Sequence, residues 1–188
     1  MRRRVVSVIG DAGVLPETPT YRTAEELGRL LVDSGFRVMT GGLRGVMEAA
    51  SRGAHASALY REGDTIGIVP HLDPEEANPW VDIAIGSGLD HARNTLVANA
   101  DAVIAVGGGA GTLSEICFAW MFKRLVIAVR GQGWADRLGG QRLDARPRGE
   151  GPDDQVYCAD DAAHAVALLH DKLPSYAARG RGFGAGDR

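Results

Sequence analysis

Short apolar, β-branched runs alternate along the chain with stretches whose apolar residues recur at helical spacing. That alternation predicts βαβ units around a parallel sheet covered on both faces. Strands are expected at 5–9, 37–40, 65–69, 80–85, 102–106, 125–129 and 156–158. The run at 102–106 is apolar without alternation, as in a strand buried on both faces. Thr18 before Pro19 predicts an N-cap and the first position of a helix that reaches Gly35, with Leu27, Leu30 and Leu31 as its core stripe. Further helices are expected at 46–58, 89–99 and 112–122, and a last one beyond Asp160 carries Ala163, Val166, Ala167 and Leu169 at helical spacing. The helix at 112–122 is apolar almost all round through Ile116, Cys117, Phe118, Trp120, Met121 and Phe122. Such a helix is buried on two sides, one against the sheet and the other against a second subunit. Residues 131–154, rich in Gly, Arg and Asp, predict a long mobile loop, and residues 174–188 a disordered tail. The expected architecture is one α/β domain over residues 1–173, a Rossmann-like doubly wound parallel sheet.

Composition narrows the function classes. A chain of 188 residues with 45% hydrophobic and 24% charged residues is one ordinary globular domain. A net charge of −3 leaves no electrostatic footprint for nucleic acid or for an anionic membrane. No apolar run approaches the roughly 20 residues of a membrane-spanning helix. Arg2, Arg3 and Arg4 precede an apolar stretch too short for a signal peptide, so the protein is expected in the cytoplasm. Cys117 and Cys158 have neither metal-ligand spacing nor a disulfide pattern and read as buried thiols. The five histidines form no metal spacing and read as surface or loop residues, so no metal is expected.

Ligands of open parallel sheets bind beyond the carboxyl ends of the strands, and three of those ends carry glycines: Gly10, then Gly41, Gly42 and Gly45, then Gly107, Gly108, Gly109 and Gly111. Glycine lets the backbone approach a ligand closely, and a helix start offers free N–H groups to an anion, so a phosphate is the expected guest. A dinucleotide is excluded in its usual mode, because the turn after the first strand is Gly10-Asp11-Ala12-Gly13 and strand two ends at Thr40 instead of an acidic residue. No Gly-Lys-Ser/Thr phosphate loop occurs, and no cofactor is expected. Arg93 falls in the first turn of a helix that Asp90 is placed to cap, where the macrodipole disfavours a cation. Either an anionic ligand compensates it or a salt bridge to Asp90 or Asp101 does. Thr112 to Glu115 matches a capping box, and the same position also aims Glu115 at the pocket of Arg93. Asp11 reads as a turn cap.

Residues 41–48, Arg93, and residues 106–115 together resemble the LOG (LONELY GUY) superfamily, once known as the possible lysine decarboxylases. The resemblance spans about residues 5–129 and rests most on the motif from Gly108 to Glu115 paired with Arg93. It implies a Rossmann-like homodimer or larger homo-oligomer acting on a small phosphorylated ligand. It also implies hydrolysis of the N-glycosidic bond of a nucleoside 5′-monophosphate to free base and ribose 5-phosphate. Arg93 and Glu115 would be catalytic, and Gly10, Gly41, Gly42, Gly45, Met47, Gly107, Gly108, Gly109, Gly111 and Thr112 would bind the ligand and its phosphate. Gly107 stands where the cytokinin-activating enzymes have Pro, and Asn94 where they have Lys. In both it is similar to the branch of the molybdenum cofactor carriers, which bind a pterin phosphate without bond-breaking.

Overall fold

The computed structural model describes residues 2–146 and 154–177. Seven strands form one sheet: β1 (Val5–Gly10), β2 (Arg37–Thr40), β3 (Thr65–Val69), β4 (Ile83–Gly86), β5 (Ala102–Val106), β6 (Leu125–Val129) and β7 (Tyr157–Ala159). Every pairing is parallel, in the order β4-β3-β2-β1-β5-β6-β7. The order reverses between β1 and β5, whose carboxyl ends Gly10 and Val106 lie in register and open a crevice.

Helices α1 (Pro19–Asp33), α2 (Val46–His55) and α6 (Ala162–Ala177) cover one face, where Leu27, Leu31, Ala50 and Leu169 pack on Val6, Val8, Ile104 and Ile127. Helices α3 (Asn94–Ala98), α4 (Ala110–Met121) and α5 (Gly133–Leu138) lie on the other, where Val97, Ile116, Ala119 and Ala135 meet Ile9, Val103 and Val126. The sheet separates two apolar cores because its central strands are buried on both sides, as the unalternating run at 102–106 required. Thr18 caps α1 as expected, its Oγ1 accepting from the N–H of Tyr21.

Several expectations are corrected. The stretch 80–85 is not strand throughout, because Asp82 accepts from the N–H groups of Gly63 and Thr65 and from the Tyr60 hydroxyl, which leaves β4 to begin at Ile83. Residues 131–154 are not simply loop, since α5 sits within them and Asp154 is buried and bonded to the hydroxyl of Tyr176. That contact also carries α6 past Pro174, where the tail was expected to begin, as far as Ala177; the remaining tail and residues 147–153 lie outside the described residues. The two cysteines are half-buried rather than buried, with burial raising the Cys117 thiol pKa. His55 is no surface residue, as it stacks on Tyr60 with ring centroids 4.0 Å apart. Among the described residues no helix is long and apolar enough to cross a membrane.

Candidate functional site

Three helices, α1, α2 and α4, follow strands whose ends face the crevice, but their starts are not equally free. At α1, Pro19 has no N–H and Thr18 takes that of Tyr21. At α2, the N–H of Val46 donates to the carbonyl of Asp11 at 3.1 Å. At α4, Gly109 precedes the helix with no side-chain cap, and the first N–H engaged in the helix is that of Leu113, bonded to Gly109. The donors of Ala110, Gly111 and Thr112 make no hydrogen bond among the described residues. An uncapped start with free N–H groups is an anion site in waiting.

The glycines divide by what surrounds them. Gly109 and Gly111 are exposed, and a side-chain carbon on Gly109 would meet nothing within 4 Å, so a ligand has open access. Gly108 has φ +94°, and a Cβ there would strike Thr112 at 2.3 Å, so the loop turns tightly over the buried Thr112 side chain. Gly10, Gly42 and Gly45 are instead required by the protein's own packing, against Val106 and Val46, against Val69, and against Asp11 and Ala12 respectively. Met47 is buried but belongs to neither core.

Arg93 and Glu115 come together as expected, though not by the expected local structure. Asp90 does not cap: residues Asp90–Arg93 form a 3-10 turn with no side-chain cap, and Arg93 stands at the junction with α3. Asp101 is taken up by Arg2 at 2.6 Å. The capping box also fails, because α4 starts at Ala110, two residues before Thr112, so Glu115 lies in the second turn with its side chain buried. Arg93 and Glu115 are 8% and 7% exposed, and Arg93 Nη1 lies 3.9 Å from Glu115 Oε1, an ion pair without a hydrogen bond. Nε and Nη1 of Arg93 are buried with no hydrogen-bond partner. Burial pushes the Glu115 carboxyl up to about 7 against the pull of Arg93. Burial likewise lowers the pKa of Arg93, opposed by Glu115 and Asp90. The guanidinium lies against the β2–α2 loop so closely that a Cβ on Gly41 would fall 2.2 Å from Nη1. Asp11 serves as the expected turn cap, accepting from the N–H of Gly13 at 2.8 Å.

Other residues around the crevice make contacts that the sequence did not show. Asn94 is buried and its amide donates to Ser114 Oγ at 2.9 Å, tying the turn that carries Arg93 to the helix that carries Glu115. Gln132 reaches across the crevice to Thr20 Oγ1 at 3.0 Å, beside Gly107. The N–H groups of Trp134 and Ala135 hold the carbonyls of Gly108 and Gly107, so α5 braces the glycine loop from behind. These contacts join segments far apart in the chain, which no spacing rule detects. Among the described residues no group of His, Cys, Asp and Glu is placed to hold a metal.

The model of the SLOG cluster4 family matches residues 3–163. The chain belongs to that family. It is 40% identical over 131 residues to a protein of Archaeoglobus fulgidus, a match covering 69% of this chain and 82% of that one. It is 35% identical over 97 residues to the cytokinin riboside 5′-monophosphate phosphoribohydrolase LOG of Oryza sativa subsp. japonica, covering 50% of this chain but 38% of that entire protein. Two solved structures are similar along their whole length. The molybdenum cofactor binding protein of Rippkaea orientalis has TM-score 0.76 and 32% identity, covering 92% of this chain and 99% of that one. The molybdenum cofactor carrier protein of Chlamydomonas reinhardtii has TM-score 0.71 and 29% identity, with the same 92% and 99% coverage. The SLOG family member is thus a Rossmann-like α/β domain with a seven-stranded parallel sheet.

Proposed function

We propose that the crevice binds a phosphorylated, nucleotide-like ligand and hydrolyses the N-glycosidic bond of a nucleoside 5′-monophosphate to free base and ribose 5-phosphate. One observation carries this reading: a guanidinium and a carboxyl, both more than nine-tenths buried, meet at 3.9 Å without a hydrogen bond, next to an uncapped helix start. Buried charges with unfilled hydrogen-bonding capacity are costly, and folds retain them where a ligand or a developing charge completes them. The N–H groups at the start of α4 receive the phosphate, with Gly107, Gly108, Gly109, Gly111 and Thr112 shaping the loop. Arg93 orients the sugar phosphate. As the bond from C1′ to the base nitrogen breaks, Glu115 in its ionised form stabilises the oxocarbenium-like sugar and takes a proton from the water that attacks C1′. The base leaves with a proton from solvent.

A second reading is carriage of a pterin phosphate without bond-breaking. It is favoured by the two neighbours that match along nearly their whole length, one binding and one carrying molybdenum cofactor. We also infer a homodimer in solution, formed through the outer face of α4. Chromatography of the protein incubated with a panel of nucleoside monophosphates separates the two functions. Base and ribose 5-phosphate in equal amounts support hydrolysis. A protein that binds AMP, GMP or a pterin phosphate but releases no base from any nucleotide is a carrier.

A further inference from the structure

A cavity of about 390 Å³ opens between the β2–α2 loop and residues 76–79. Its size falls within the range of small-molecule pockets, which run from about 300 to 1,000 Å³. Ala12, Leu43, Ala77 and Pro79 give it apolar walls, and Arg44 and Glu48 give it one cation and one anion. Those two charges form no ion pair or hydrogen bond with each other or with any other described residue, although both line the same space. Glu76, also on the rim, is already engaged by His71.

The cavity is preformed. Asn78, buried in its wall, donates its side-chain amide to the carbonyl of Leu43 at 2.8 Å and to that of Gly42 at 3.1 Å, and its backbone N–H also meets Gly42 at 2.8 Å. Residues 77–79 are thereby fastened to the β2–α2 loop. Gly41 touches Arg93 and Leu43 lines the cavity, two residues apart, a distance of at most ~7 Å along the chain. One loop therefore carries both the contact to Arg93 and part of the cavity wall.

We propose that the cavity receives the ring of a 2-amino-4-oxopyrimidine type, the edge shared by guanine and the pterins, with Glu48 accepting from its amino and ring N–H groups and Arg44 donating to its carbonyl oxygen. An unpaired carboxylate is an acceptor alone and selects an edge with two adjacent donors, whereas a guanidinium matches the oxygen and ring nitrogen of such a base. Adenine presents an acceptor nitrogen at the corresponding position and repels the carboxylate. The apolar walls accommodate the flat ring. This assignment rests on the phosphate site at α4 and names the class of base that goes with it.

Calorimetric titration of the wild-type protein with GMP, IMP, AMP, 6-hydroxymethylpterin phosphate and ribose 5-phosphate tests it. GMP or the pterin phosphate, or both, should bind at least about tenfold more tightly than AMP, and IMP, which lacks the amino group, should fall below GMP. Whichever of the two preferred compounds binds better identifies the source of the ring. Glu48→Gln should bring the preferred ligand down to the AMP level without altering ribose 5-phosphate binding, and Arg44→Ala, on the exposed rim, should weaken the preferred ligand alone. AMP binding as tightly as GMP and the pterin phosphate, or a preference that survives Glu48→Gln, overturns the base assignment while leaving the phosphate site standing. Failure to bind ribose 5-phosphate or any of the phosphorylated compounds overturns the phosphate site itself.

Discussion

Glu115 is the residue at which stability and the proposed chemistry oppose each other. Its ordinary pKa of 4.5 is pushed to about 7 by burial, so between those values the folded protein holds a proton that the unfolded chain has released. Stability from this group is full below pH 4.5 and is lost as pH rises through about 7, a change of roughly 3 kcal/mol. Glu115→Gln imitates the protonated form and removes that loss. Its melting temperature should match the wild type near pH 5 and exceed it at pH 8, a comparison that calorimetry at the two pH values makes directly. Base release, if the protein is a hydrolase, should rise in the wild type as pH passes through about 7 and vanish in Glu115→Gln at every pH, with ribose 5-phosphate still bound. A second expectation concerns Gly41, where a methyl group would press on the movable guanidinium of Arg93 and not on backbone. Gly41→Ala should therefore weaken phosphate-ligand binding about tenfold or more while shifting stability by under about 1 kcal/mol. At this scale the sequence singled out Arg93 and Glu115 by the place of Glu115 after the glycine loop and by the family resemblance, whereas the capping box that it also offered for Glu115 was a coincidence of spacing. The helix begins at Ala110, and the true partnership spans the gap between two helices.

The elements around the site were legible in proportion to their periodicity. Strands 37–40, 65–69, 102–106 and 125–129 agree with the sequence expectation because burial on the sheet leaves an apolar signature that turns do not have. Helix α5 was illegible because Gly131, Gly133, Gly139 and Gly140 read as breakers around a six-residue helix. What forms it is tertiary: Trp134 and Ala135 donate to the glycine loop, and Ala135 is fully buried. Pro174 likewise read as a stop, while the burial of Tyr176 against Asp154 carries the helix through it. The α5 contact predicts a remote effect on ligand binding. Gly133 has φ +66° and a Cβ there would lie 2.5 Å from the carbonyl oxygen of Gly108. Gly133→Ala should cost about 1–3 kcal/mol and displace the loop, weakening binding of ribose 5-phosphate although residue 133 lies outside the glycine motif. Denaturant unfolding and calorimetric titration of the same variant measure both effects. Unchanged binding would detach α5 from the site.

At the scale of the whole molecule, the two sheet faces are unequally covered. The face of α1, α2 and α6 is closed by three packed helices, whereas on the other α3 is a single turn and a half and the edge strand β4 leaves Ile83 and Ile85 44% and 45% exposed. On that same face Met121 is 56% exposed and Leu96 43%, and the stacked rings of Phe118 and Phe122, 6.1 Å apart, are half-buried. Apolar side chains gathered on one side of a domain mark an interface, and the nearly uniform apolarity of α4 in the sequence already required a second cover. On the proposed homodimer a second copy of the chain would supply it, since a two-fold contact brings the same apolar face from both protomers together. The expected result is a dimer by light scattering at micromolar concentration. Met121→Glu places a charge in the middle of that contact without disturbing either core, because Met121 belongs to neither. The variant should sediment as a monomer and keep its melting profile at low protein concentration. A wild-type protein that remains monomeric across the micromolar range leaves the face without a second copy and removes the basis for the dimer.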